Sequence, residues 1–106
     1  MPKYLIQATY TPEGVEGVRT KGGSSRRDAV AETVSSLGGE LESFHFGFGD
    51  DDAYVIADLP DNEAAAALAL TVNAAGGATV KTIALLTPEQ IDEAANRSVD
   101  YRPPGS

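Results

Sequence analysis

His45 is the only histidine in the chain, and so the one side chain whose unperturbed pKa lies near neutrality. In a pocket, a lone histidine can serve as a general base or hold a ligand, and Tyr4, Tyr10 and Tyr54 could complete a polar pocket around it. No second histidine and no motif-spaced carboxylate accompanies it. The sequence therefore favours a hydrogen-bonded histidine at a sheet surface or at an interface between copies. Asp50-Asp51-Asp52 offers carboxylate oxygens of the kind that suit calcium, but consecutive turn residues point in different directions, and alternate ligands with a distal glutamate are absent. That pattern predicts a solvated hairpin turn and no metal site.

Arg26 and Arg27 follow Gly22-Gly23-Ser24-Ser25 at a helix start, where guanidinium groups and backbone amides could hold a carboxylate or a phosphate. The stretch lacks the Gly-Lys-Ser/Thr ending of a phosphate loop, which makes a mobile loop with surface arginines the expectation. Ser24 and Ser25 lie in no nucleophile elbow. The candidates are thus His45 for catalysis and Tyr4, Tyr10, Tyr54 and Arg26 for ligand binding. Nucleotide, haem and flavin motifs are absent and there is no cysteine, so neither a cofactor, a thiolate nucleophile nor a disulfide framework is expected.

Sixteen acidic against eight basic residues give a formal net charge of −8. Such a chain is repelled by phosphate backbones and anionic headgroups, so nucleic acid and membrane surfaces are poor partners, and the charge serves solubility. At 106 residues the chain fits one domain, near the small end where association with another surface helps. Met1-Pro2-Lys3 runs straight into a strand-like segment without a secretory leader pattern, and no apolar run reaches the ~18 residues needed to span a bilayer. A cytoplasmic address is the expectation.

The elements that must position these residues follow from periodicity. Lys3 to Tyr10 alternates as a strand, with Tyr4, Ile6, Ala8 and Tyr10 on one face. Thr11-Pro12 resembles a helix start, yet Gly14, Gly17, Gly22 and Gly23 reduce the prediction to a short helical turn around Val15 and Val18, then a mobile loop. A firmer helix opens at Ser25-Arg26-Arg27-Asp28, resembling a capping box, carries the stripe Val30, Val34 and Leu37, and ends at Gly38-Gly39. The second strand places Phe44, Phe46 and Phe48 on one face, and Leu41, Ser43, His45 and Gly47 on the other. A third strand spans Asp52 to Asp58, and Asp61 caps an alanine-rich helix through Ala75. A fourth strand runs from about Thr79 to Leu86. Thr87-Pro88-Glu89-Gln90 then opens a short helix to Ala95, leaving residues 96–106 as an arm or disordered tail.

Strand, helix, strand, strand, helix, strand is the split βαβ order of ferredoxin-like α+β folds, with a four-stranded antiparallel sheet and here a short C-terminal helix. The strands carry apolar residues on both faces while two helices can cover only one, so a face-to-face homodimer is expected.

Three stretches together resemble the GYD domain family: Leu37-Gly38-Gly39-Glu40-Leu41-Glu42-Ser43-Phe44, then Gly49 and Asp52, then Pro60-Asp61-Asn62-Glu63 with its alanines. The resemblance begins at Lys3-Tyr4, ends near Glu93, and marks residues 1–95 as a single domain. The family has a Gly-Glu-Tyr-Asp-like turn; here Gly49 and Asp52 remain and Asp51 stands at the tyrosine position. The family is similar to the dimeric α+β barrels, in which two ferredoxin-like sheets pack face to face. That likeness implies a homodimer and no particular reaction; the leading expectation is a non-catalytic homodimeric module that binds a small apolar or aromatic compound between sheet and helices. The alternatives it leaves open are a cofactor-independent monooxygenase, isomerase or decarboxylase using His45, and a purely structural oligomerisation module.

Overall fold

Tyr4, Ile6 and Ala8 are buried while the residues between them are not, and this strand, β1 (Lys3–Tyr10), takes the middle of the sheet. The computed structural model describes residues 1–105; Ser106, the last residue of the expected arm, lies outside them. Then follow α1 (Pro12–Lys21), α2 (Gly23–Ser36), β2 (Glu40–Phe46), β3 (Ala53–Asp58), α3 (Asn62–Ala75), β4 (Ala78–Leu85) and α4 (Pro88–Ala95). The strand order is β2-β3-β1-β4, antiparallel throughout. This is the ferredoxin-like arrangement read from the sequence, with one helix added after β1.

Register fixes the two faces. Tyr4 lies opposite Ala57 and Ala84, Ile6 opposite Val55 and Thr82, and Ala8 opposite Ala53 and Val80. This face meets the helices, where Tyr4, Ile6, Val55, Ala57 and Leu59 pack with Val34 of α2 and with Ala65 and Leu68 of α3. The helix-free face carries Leu5, Gln7, Tyr54, Ile56, Lys81 and Ile83. Helix ends match their sequence signals. Asp61 accepts from the Ala64 amide at 2.8 Å, and Thr87 and Gln90 form a reciprocal capping box.

Four expectations are corrected. First, Pro12 to Lys21 is a ten-residue helix rather than a turn and mobile loop. Thr11 caps it, and Gly14 lets it approach the α3–β4 connection: a Cβ on Gly14 would lie 2.0 Å from the Gly77 carbonyl oxygen. Second, α2 starts at Gly23, directly after Gly22 at φ 93°, without the side-chain cap expected at Ser25. Third, a bulge between Leu41 and Ser43 turns Leu41 to the helix face with Phe44, leaving Ser43 and His45 on the open face. Fourth, β2 ends at Phe46, so Phe48 lies beyond the strand and fully exposed instead of joining the other two phenylalanines. No residue from Leu86 to Gly105 is buried, and the stretch after Ala95 forms neither helix nor strand.

Two glycine substitutions should move stability in opposite directions. Gly39→Ala would place its Cβ 2.2 Å from the Asp58 carbonyl oxygen and 2.9 Å from Leu59, the most deeply buried leucine. It should cost about 2 kcal/mol, of the order of an overpacked core. Gly17→Ala meets nothing within 4 Å in the middle of α1 and should add roughly 0.5–1 kcal/mol. Urea unfolding midpoints report both; equal shifts of one sign would refute the packing described.

Candidate functional site

α1 is fastened at its first turn and open along the rest. The Thr11 amide donates to the Gly77 carbonyl at 3.1 Å, and its hydroxyl donates to the Gly76 carbonyl at 3.0 Å. Beyond Gly14 a cleft of about 500 Å³ opens between α1 and α2 on one side and the end of α3 with the start of β4 on the other. Gly17, Val18 and Lys21 line it from α1; Ser25, Arg26, Ala29 and Thr33 from α2; Thr71, Val72 and Ala75 from α3. Tyr10 forms part of its wall and lies 6.5 Å, ring to ring, from Phe46, which packs edge-on against Phe44 at 5.1 Å. The Phe46 ring in turn sits against the backbone of Gly23, setting the start of α2 over the sheet.

Beneath the cleft lies an inner cavity of about 60 Å³, lined by Ile6, Val30, Phe44, Leu68 and Val80 among others. Tyr10, Arg26, Thr33, Val72 and Ala78 line both spaces. The combined volume lies within the range of small-molecule sites, with mainly apolar walls and few polar groups. None of the fifteen residues lining the outer cleft is acidic, whereas Lys21 and Arg26 are basic.

The five sequence candidates divide among three places. Tyr10 and Arg26 meet at the cleft, the guanidinium carbon 5.8 Å from the ring centroid. Arg26 is therefore a half-buried residue of α2, not a surface arginine in a loop, whereas Arg27 is exposed and pairs with Asp28 at 3.2 Å. Tyr4 belongs to the core, and its hydroxyl donates to Asn62 Oδ1 at 2.6 Å. His45 and Tyr54 face each other in register on the helix-free face, so the single pocket of one histidine and three tyrosines does not form.

The acidic turn is not simply solvated. Asp51 is only 4% exposed; it accepts from the Thr9 hydroxyl at 3.0 Å and faces the Lys81 ammonium at 3.1 Å. Asp52 accepts from the Tyr10 amide at 2.8 Å and donates its own amide to Ala8. Two of the three aspartates thus tie the β2–β3 turn to β1 and β4, and among the described residues no group of three or more metal-ligating side chains occurs. At the opposite end of the open face, Lys3 joins Glu42 of the bulge and Asp58. Hydrogen bonds from Lys3 to Asp58, then to Glu42, raise its pKa above the ordinary lysine value, so the lysine's side of this triad is lost only as pH rises through that raised value.

Lys21, Gly14 and Gly17 were missed as site residues. Their i, i+3 and i+7 spacing along one helix was the available signal, masked by the low helix propensity of glycine. Asp51→Ala removes the acceptor that Thr9 and Lys81 share and should lower stability by about 2 kcal/mol with the far-UV dichroism unchanged. An unchanged urea midpoint would mean that the turn is not held by this carboxylate.

Comparison with curated proteins and with solved structures gives no match. No described helix is long and apolar enough to cross a membrane. The GYD domain family matches residues 4–95, a span that includes all of the sheet but Lys3 at the start of β1, α1 to α4 and the Gly49–Asp52 turn. A match over that much of the chain, on a ferredoxin-like sheet of the order the sequence led us to expect, establishes that the chain belongs to the GYD domain family.

Proposed function

We propose that this protein is a homodimeric binding module that takes a small apolar or aromatic compound into the cleft between its helices and sheet. The observation that carries the reading is the cleft itself: about 500 Å³, apolar-walled, continuous in its lining with a cavity in the core, and flanked by an aromatic row of Tyr10, Phe46 and Phe44. Dimerisation is supported by the helix-free face, where Leu5, Tyr54 and Ile56 are half-buried and Ile83 is exposed. Leu86 and Ile91, both exposed beyond β4, add apolar surface at that end. Pairing two such faces would remove more apolar surface from water than a lone protomer can.

The alternative of a cofactor-independent enzyme using His45 gains nothing from the cleft, whose lining includes neither a histidine nor a carboxylate. His45 and Tyr54 would instead lie where the two sheets meet. Native mass spectrometry of protein purified gently from its own host should show a dimer carrying a small adduct. Gly17→Leu, which projects into the cleft from a position without neighbours, should keep the dimer and lose the adduct. A wild-type dimer without adduct would overturn the binding role in favour of a structural one, and a monomer would overturn the pairing of sheet faces.

A further inference from the structure

Every arginine from Arg19 to Arg97 except one holds a carboxylate of its own chain: Arg19 with Glu16, Arg27 with Asp28, Arg97 with Glu93. Arg26 is the exception. Its side chain stands where the outer cleft meets the inner cavity, over the face of Tyr10. Its Nε is covered by the protein's own atoms and has no hydrogen-bond partner among the described residues, so the donors that can meet a ligand are those at the end of the guanidinium. The surroundings invert the charge of the rest of the molecule: a chain of net charge −8 has a cleft lined by two basic residues and no acidic one. The N-terminus of α2, which has no side-chain cap, lies beside the same cleft, since Gly22 and Ser25 line it.

We propose that the ligand of this cleft is an amphipathic acid, an alkyl or aryl monocarboxylate, whose head group is bound by Arg26 and whose apolar body lies between Val18 and Val72. This rests on the reading of the cleft as a binding site and names its substrate class. The guanidinium fork matches a carboxylate, and Lys21 adds a flexible charge at the exposed edge. One guanidinium fork with a mainly apolar wall suits a single negative charge on a largely apolar molecule.

The test compares octanoate with octan-1-ol, which share an apolar chain and differ in charge, titrated into ¹⁵N-labelled full-length protein at mildly alkaline pH. Octanoate should shift the amides of Val18, Gly22 and Ala75 together with the Arg26 Nε–Hε resonance, and bind about tenfold or more tighter than the alcohol. Arg26→Gln should remove that advantage by weakening octanoate far more than octanol, and Lys21→Gln should reduce it by about two- to threefold. Equal binding of acid and alcohol at these amides, or an Arg26→Gln variant that still prefers the acid, would overturn the charge selection and leave the cleft reading standing. Binding of neither compound at the cleft amides would overturn both.

Discussion

The approach of α1 to the connection between α3 and β4 is the contact on which the cleft of this structure depends. Backbone meets backbone there, Gly14 against the Gly77 carbonyl, and a single methyl group in between would leave only 2.0 Å. Thr11 reinforces the contact by accepting from the Gly14 amide and donating to the two carbonyls of Gly76 and Gly77. Because the fastening is confined to the first turn, the rest of α1 is free to stand away from α3. The cleft is the space left between a helix anchored at one end and a sheet whose core is already filled by Val34, Leu59 and Leu68.

The same division of labour runs through the sheet. One face is committed to folding: Tyr4, Ile6 and Val55 pack under the helices, and small residues at Ala8, Ala53 and Ala57 let α2 and α3 come close. The other face is held at its two ends by charge, Asp51 with Lys81 and Thr9 at one and Lys3 with Asp58 and Glu42 at the other, with the apolar row of Ile56, Leu5 and Ile83 between them. Asp51 is buried, and its work is structural: it fastens the turn that the fold needs between β2 and β3. A core committed on one side and an apolar strip framed by ion pairs on the other is the physical basis for proposing that ligand binding and self-association use separate surfaces.

Much of this was legible in the sequence because local and global preferences agree. Alternation in β1 and β3, the Asp61 cap and the Thr87–Gln90 capping box each specify the state found. Where they disagree, the sequence misled. Glycines 14 and 17 lower the helix propensity of α1, but tertiary contact at Gly14 outweighs that cost, and no single-position preference encodes a contact with residue 77. The bulge at Glu42 breaks strict alternation, so Leu41 reaches the core from what read as the opposite face. Asp51 read as solvated because its two partners, forty-two and thirty residues away in sequence, come together only when β1 and β4 are paired. Of the site, Tyr10 and Arg26 were visible as chemistry-bearing residues; the separation of His45 and Tyr54 from them depends on which strands pair, and that is a property of the assembled sheet.

The most direct test of the account is a crystal structure of the protein isolated from its own host with nothing added. The account predicts an open cleft between α1 and α3, Arg26 over Tyr10, and connected electron density of a small molecule running from the guanidinium toward Val72. An α1 folded down against α3, with the cleft closed and Arg26 paired to a carboxylate of its own chain, would contradict it.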